Sequence, residues 1–215
     1  MESTVKAKSN LEQLTAIIKR NRVDELKRLP ELWVFGYASL VWLPNFDYSK
    51  KTNGHINGFS RRFYQESTSH RGTPEQPGRC ATLLRTNSED KTYGVAYRLC
   101  GSEQIEFAMQ KLNMREITLG GYVLDVSLFY SSNGLAIPVV FYVGTTNSDQ
   151  HTGIESIDQL AQIIATSVGP SGTNHEYLFK LAEWQRENFP EIEDDHLYGL
   201  ESVTKLLLEN TELFN

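Results

Sequence analysis

One acidic residue of this chain stands where a proton-transfer group would be useful. If residues 102–116 are helical, Glu116 falls four residues after Leu112, seven after Met109 and eleven after Ile105. That spacing puts it on the apolar stripe that faces a core. A carboxylate there is costly unless it is paired, and desolvation lifts its pKa toward the range that suits proton transfer near neutrality. The same position also fits a helix end turned to solvent, or a structural ion pair with a core arginine. Gly120 and Gly121 follow and permit a sharp reversal, so that Tyr122 could aim its hydroxyl back into the same space.

A second constellation is Gly36-Tyr37-Ala38-Ser39-Leu40-Val41 between Phe35 and Trp42. Small side chains at a strand end let backbone N–H groups approach a ligand closely, as a carboxylate or a developing oxyanion requires; a tight turn leaving a strand fits the pattern equally. A third is the Gly- and Pro-dense stretch 67–79, an ordered loop carrying His70, Arg71 and Arg79. Those residues make a cationic spot suited to a small anion, or merely solvated loop charge. The chain carries no Gly-rich phosphate loop, GxSxG elbow, HExxH pair or acidic metal cluster, and its five histidines are dispersed. Metal and triad-type covalent catalysis are therefore disfavoured, and no cofactor is expected.

These groups need elements to position them. Ser9 and Glu12 have capping-box spacing and predict an amphipathic helix over residues 10–28, with Pro30 after it. Short strand-like runs then occupy residues 32–37, 55–64, 80–85, 92–99, 122–130 and 135–143, with Pro138 implying an edge or a bulge in the last. Helical periodicity returns over 102–116, 156–168, 174–189 and 195–209. Strands interrupted by one helix and followed by three more fit α+β better than a doubly wound α/β fold. The expected architecture is a curved, mostly antiparallel, barrel-like sheet with packed helices, in a catalytic domain over residues 32–210 after a helical extension at residues 1–31.

Composition narrows the function classes. Apolar residues make up 40% and charged residues 22% of 215 residues, an ordinary soluble composition that can bury a substantial core. A net charge of −6 with scattered Arg and Lys disfavours nucleic acid. Cys80 and Cys100 are too few for a disulfide framework, and reduced thiols in the cytoplasm are expected. Nothing in the first 30 residues reads as a signal-peptide core, and no run approaches the ~18 apolar residues of a membrane span. A monomer is expected.

Taken in order, these segments closely resemble the ChaC family of glutathione-specific γ-glutamylcyclotransferases. The resemblance covers roughly residues 33–208 and includes Phe35-Gly36-Tyr37-x-Ser39-Leu40, Arg61-Arg62-Phe63 and the loop from His70 to Arg79. It continues through Tyr93-Gly-Val-Ala-Tyr-Arg98, Arg115-Glu116 ahead of Gly120-Gly121-Tyr122, Gly169-Pro-Ser-Gly-x-Asn174 and Glu176-Tyr-Leu178. It implies a γ-glutamylcyclotransferase-like barrel and cleavage of glutathione to 5-oxoproline and cysteinylglycine without water or cofactor. The catalytic carboxylate would be Glu116 and the γ-glutamyl-holding turn Gly36 to Val41, with Tyr122 a candidate donor and Arg71 and Arg79 candidate contacts for the glycine carboxylate. Ala38 departs from the family's usual Gly; if the position needs a positive φ, the methyl strains the turn and leaves room for a weakened relative. Two other readings share the scaffold: a cyclotransferase for other γ-glutamyl amino acids or amines, and a non-catalytic γ-glutamyl-binding module.

Overall fold

The computed structural model describes residues 2–212. Five strands close into a barrel: β1 (Glu31–Gly36), β2 (Lys50–Asn57), β5 (Lys91–Cys100), β6 (Tyr122–Ser131) and β7 (Ala136–Gly144), ordered β1-β5-β2-β6-β7. β3 (Phe59–Ser67) and β4 (Gly78–Arg85) form a separate two-stranded sheet. Pairing is antiparallel from β1 to β5, from β5 to β2 and from β2 to β6, and a parallel contact at Val34↔Val140 joins β7 back to β1. The expected α+β class with a mostly antiparallel barrel is what the chain forms. The run 55–64 is two strands rather than one, because Gly58 between them sits at φ 80°, a left-handed corner that glycine accepts without strain. Asp90 O accepts the Gly58 N–H at 2.8 Å, and Gly58 O accepts the Thr86 N–H at 3.0 Å, which pins that corner.

The chain divides into two compact units, Met1–Ser60 with Arg85–Val143 and Arg61–Leu84 with Gly144–Asn215. In the first, Val34, Phe35, Ile56, Phe129, Val140 and Phe141 are each at most 1% exposed, and the consecutive pairs 34–35 and 140–141 are buried on both faces of their strands. Phe35 packs on Phe129 with ring centroids 5.6 Å apart and meets Phe141 edge-on at 6.4 Å. Each such side chain contributes roughly 1.5–3 kcal/mol by leaving water. Gly94 of β5 lets the backbones close up, since a Cβ there would come within 2.2 Å of Gly36 O.

Helices α1 (Glu2–Lys19) and α2 (Ser102–Leu112) belong to this unit. α1 begins earlier than the capping-box reading and stops at Lys19, just before Asn21 at φ 52°, a left-handed residue of the kind that terminates helices. A short 3₁₀ turn, Val23–Arg28, covers the remainder of the expected helix. α1 lies against β6 and buries Ala7, Leu14 and Ile17. α2 follows its period, burying Ile105, Ala108, Met109 and Leu112.

The second unit holds the β3-β4 ribbon, α3 (Ile157–Thr166), α4 (Asn174–Asn188), α5 (Asp195–Glu212) and a two-residue pair of strands, β8 (Val168–Gly169) and β9 (Gly172–Thr173). Ser156 and Gln159 cap α3 reciprocally at 3.2 and 3.0 Å. Asn174, fully buried at the start of α4, accepts from Arg79 N–H at 2.6 Å and donates to Arg79 O at 2.8 Å, so the 169–174 segment latches the start of β4. His196 Nε2 accepts the Phe63 N–H at 3.2 Å. Burial, with Arg62 nearby, pushes its pKa from 6.5 down to about 4.

The folded unit thus holds this imidazole neutral, whereas the unfolded chain takes up its proton as pH falls below 6.5. Stability should decline by roughly 1–3 kcal/mol as pH drops from about 6.5 to about 4, measured by urea unfolding. His196→Gln, which keeps an acceptor for Phe63, should flatten that slope; an unchanged slope would assign the titration to another group.

Candidate functional site

The bend after β1 is built by close contact rather than by left-handed backbone. A Cβ on Gly36 would meet Leu40 Cβ at 2.6 Å, so only glycine lets the chain fold back through Tyr37 and Ala38 into the short turn Ser39–Val41. Ala38 has φ −129°, so its methyl group carries no left-handed strain, and the condition attached to its departure from glycine does not arise. Val41 N–H donates to Ala38 O at 2.9 Å and Leu43 N–H to Ser39 O at 2.8 Å; the Val41 amide is therefore engaged within the bend. Tyr97 holds the turn from β5, donating its hydroxyl to Leu40 O at 2.7 Å. Tyr37 is buried and donates to Tyr142 O at 2.8 Å.

Glu116 arrives on the same unit from the end of α2. The helix does not run to residue 116 as an α-helix: past Leu112 it widens into a π-turn, Asn113–Thr118. There Leu119 N–H reaches back five residues to Met114 O at 3.2 Å, a geometry often found at functional sites. The reversal is tight. A Cβ on Gly120 would meet Glu116 O at 2.7 Å and the Tyr122 ring at 2.9 Å, and Gly121 has φ 67°. Tyr122 opens β6 as a buried residue with its ring against that turn.

The Glu116 side chain is 15% exposed, and its Oε1 lies 3.2 Å from Arg115 Nε. Burial drives its pKa above the usual carboxylate range, with the Arg115 charge pulling in the opposite direction. Arg115 Nη2 donates to Ser39 Oγ, and Nη1 donates to Leu43 O at 3.1 Å, so the guanidinium touches both the carboxyl and the bend. From β7, Tyr142 donates to Asn113 Oδ1 at 2.7 Å. Its own ionisation is pushed up by burial and then by the Glu116 charge. A carboxyl disfavoured as an anion by burial yet supported by a guanidinium can both accept and return a proton.

A hollow of about 370 Å³ opens on the Arg115 side of the π-turn, bordered by Pro44, Asn45, Lys111, Met114, Arg115 and Leu119; Glu116 is not part of its lining. Among the described residues no group of three His, Cys, Asp or Glu is gathered where it could hold a metal ion.

Sequence reasoning missed Tyr142, Asn113 and the role of Arg115. Tyr142 had a faint signal, a hydroxyl within the apolar run 136–144 that needs a partner when buried; the other two had none. The cationic spot expected of the 67–79 loop is neutralised within the second unit. Arg79 is buried and pairs through Nε and Nη2 with both oxygens of Glu155, at 2.8 and 2.9 Å. Arg71 donates to Glu176 and to Thr173 O, each at 2.9 Å. Both cations are paired within the unit, where the sequence left a small-anion spot and solvated loop charge equally open.

The family described as ChaC-like protein matches residues 32–206. The glutathione-specific γ-glutamylcyclotransferase 1 of Danio rerio is 39% identical over 174 residues, covering 80% of this chain and 88% of that protein. Its Homo sapiens counterpart of the same name is 40% identical over 179 residues, covering 82% and 80%. A crystal structure described as a yeast γ-glutamyl cyclotransferase specific to glutathione superposes with a TM-score of 0.76 at 29% identity, covering 82% of this chain and 96% of that one.

The bend gives a direct check on this description. Gly36→Ala should cost about 1–3 kcal/mol through overpacking against Leu40, seen as a lower midpoint in thermal unfolding. Ala38→Gly should leave stability unchanged or slightly lower, since no positive φ is relieved; a clear gain would show the methyl to be strained.

Proposed function

The chain belongs to the ChaC-like family, and from that premise we propose that it cleaves the γ-glutamyl bond of glutathione, giving 5-oxoproline and cysteinylglycine. The observation that carries the reading is the sheltered carboxyl of Glu116 held beside the Ser39 bend through Arg115. The relatives named for glutathione cover most of the chain and support that substrate over other γ-glutamyl compounds. The absence of left-handed strain at Ala38 weighs against a disabled, binding-only relative.

The chemistry needs little beyond a conformer and a proton carrier. The α-amine of the γ-glutamyl group, as the free base, attacks its own γ-carbonyl carbon to form a five-membered ring. As that C–N bond forms, the amine nitrogen gives a proton to Glu116. The carboxyl returns the proton to the cysteine nitrogen as the original amide bond breaks, so one group serves as base and then as acid. Nucleophile and electrophile share one molecule, so the site contributes chiefly by holding the folded-over conformer, for which effective molarities reach ~10⁵–10⁸ M. Backbone N–H groups of the 37–40 stretch are the donors assigned to substrate oxygens, with Tyr122 as an additional donor; Val41 contributes shape. No metal or cofactor enters the scheme.

We place the enzyme in the cytoplasm as a monomer, acting on a small molecule with neither nucleic acid nor membrane as partner. Both cysteines are free, the charge is −6, and among the described residues no helix is long and apolar enough to cross a membrane.

Purified protein incubated with glutathione should release 5-oxoproline and turn over γ-glutamyl-alanine poorly. Glu116→Gln should fold normally and lose nearly all activity; retention of more than about a tenth would exclude Glu116 as the base. Because burial raises the Glu116 pKa and the base must be ionised, kcat/KM should climb with pH along a limb displaced above 4.5. A limb at or below that value would contradict the burial account.

A further inference from the structure

We propose that Arg115 is a positioning residue for this reaction, a three-way guanidinium clamp that fixes the Glu116 carboxyl relative to the Ser39 bend. The inference rests on the reading of Glu116 as the base. Each guanidinium nitrogen has its own partner: Nη2 donates to Ser39 Oγ, Nη1 donates to Leu43 O at 3.1 Å, and Nε lies 3.2 Å from Glu116 Oε1. The guanidinium is planar and rigid, so the positions of hydroxyl, carbonyl and carboxyl are referenced to one another through it. A flexible lysine ammonium has no such fork.

The local backbone supports this role. Ser39 starts the turn that the Leu43 N–H closes onto Ser39 O, so the two bend residues gripped by Arg115 are themselves joined by one backbone hydrogen bond. Arg115 and Glu116 are consecutive residues of the π-turn, and the contact from Nε to Oε1 joins them directly. The side chains are 24% and 15% exposed, so water does not dominate their interaction, whereas at a fully exposed pair it would. A misplacement of about 1 Å at a reacting centre costs on the order of 10²-fold in rate, which makes such a clamp consequential.

Arg115 is the charged group that acts on Glu116, and the carboxylate in turn acts on Tyr142 of β7. The Tyr142 hydroxyl is held protonated by burial and by the carboxylate, which leaves Arg115 as the group whose removal shifts the carboxyl.

The test is steady-state kinetics with glutathione across pH, following 5-oxoproline, for Arg115→Gln, Arg115→Lys, Ser39→Ala, the Arg115→Gln/Ser39→Ala pair and Glu116→Gln. Arg115→Gln should lower kcat on the order of 10²-fold with a smaller change in KM. Its rising pH limb should move upward, because the cation favouring the charged carboxyl is gone. Arg115→Lys retains the charge but not the fork, so its limb should stay near that of the wild type while kcat falls about tenfold. Ser39→Ala should add little once Arg115 is Gln, since both remove the same contact. A stationary limb in Arg115→Gln, or additive losses in the pair, would overturn the clamp and leave only a structural role, provided Glu116→Gln is inactive. An active Glu116→Gln enzyme would overturn the base and the clamp together. Should Arg115→Gln fail to fold, Arg115→Lys decides alone: wild-type kcat overturns the clamp, and reduced kcat on an unmoved limb supports it.

Discussion

A carboxyl kept largely out of water, with a guanidinium 3.2 Å away, is the tension around which the first unit is organised. Burial alone would leave Glu116 neutral and inert as a base, and a fully solvated pair with Arg115 would leave it ionised and weak as an acid. The side chain lies between these limits. Its position depends on backbone: the widened turn at residues 113–118 supplies the carboxyl and the guanidinium together, and glycines at 36 and 94 let the barrel wall and the bend draw close enough for that guanidinium to reach Ser39. Tyr97 and Tyr37 anchor the same bend through Leu40 O and Tyr142 O, so aromatic residues of the barrel serve as hydrogen-bonded struts as well as packing.

The second unit uses arginine differently. Arg79 is buried with the Glu155 carboxylate along one edge of its fork and Glu66 3.6 Å from Nη1, and Arg71 spans a backbone carbonyl and Glu176. Their cost of desolvation is offset by that pairing, the condition under which buried charge is tolerated. Asn174 and the Gly169 to Thr173 hairpin complete that network. The contrast with Arg115 is instructive, because there the charge is shared between a carboxylate and neutral oxygens and so remains able to influence a titration.

Much of this was legible in the residues. Strand periodicity located the long strands to within a few positions except β2, whose first five residues fell outside the expected run and whose end merged with β3 across Gly58, and the helical stripe of Ile105, Met109 and Leu112 pointed at Glu116. The merger arose because strand-forming residues stand on both sides of Gly58, although the apolar positions change phase there, from Ile56 to Phe59, and the backbone takes its positive φ. The π-turn was not legible, since a stripe drawn with α-helical spacing and one that widens after Leu112 place Glu116 on nearly the same side. Nor was the clamp: Arg115 is 72 residues from Leu43 and 76 from Ser39, and no local pattern records a contact across that separation. The pairing of the loop arginines was not legible for the complementary reason. Their charge is visible in sequence, but their partners, Glu155 and Glu176, lie 76 and 105 residues away.

The way the two units share the chain bears on the order of assembly. The first is interrupted: its leading portion stops at Ser60 and resumes at Arg85, and β5, β6 and β7 all come from the later stretch. A ribosome that has released only the first 84 residues has therefore delivered β1 and β2 without the strand, β5, that stands between them in the barrel. Closure waits for Val140 to emerge and meet Val34. Until then the apolar faces of β1 and β2 lack their partners, a nascent-chain interval set by connectivity and characteristic of folds whose decisive pairings are distant in sequence.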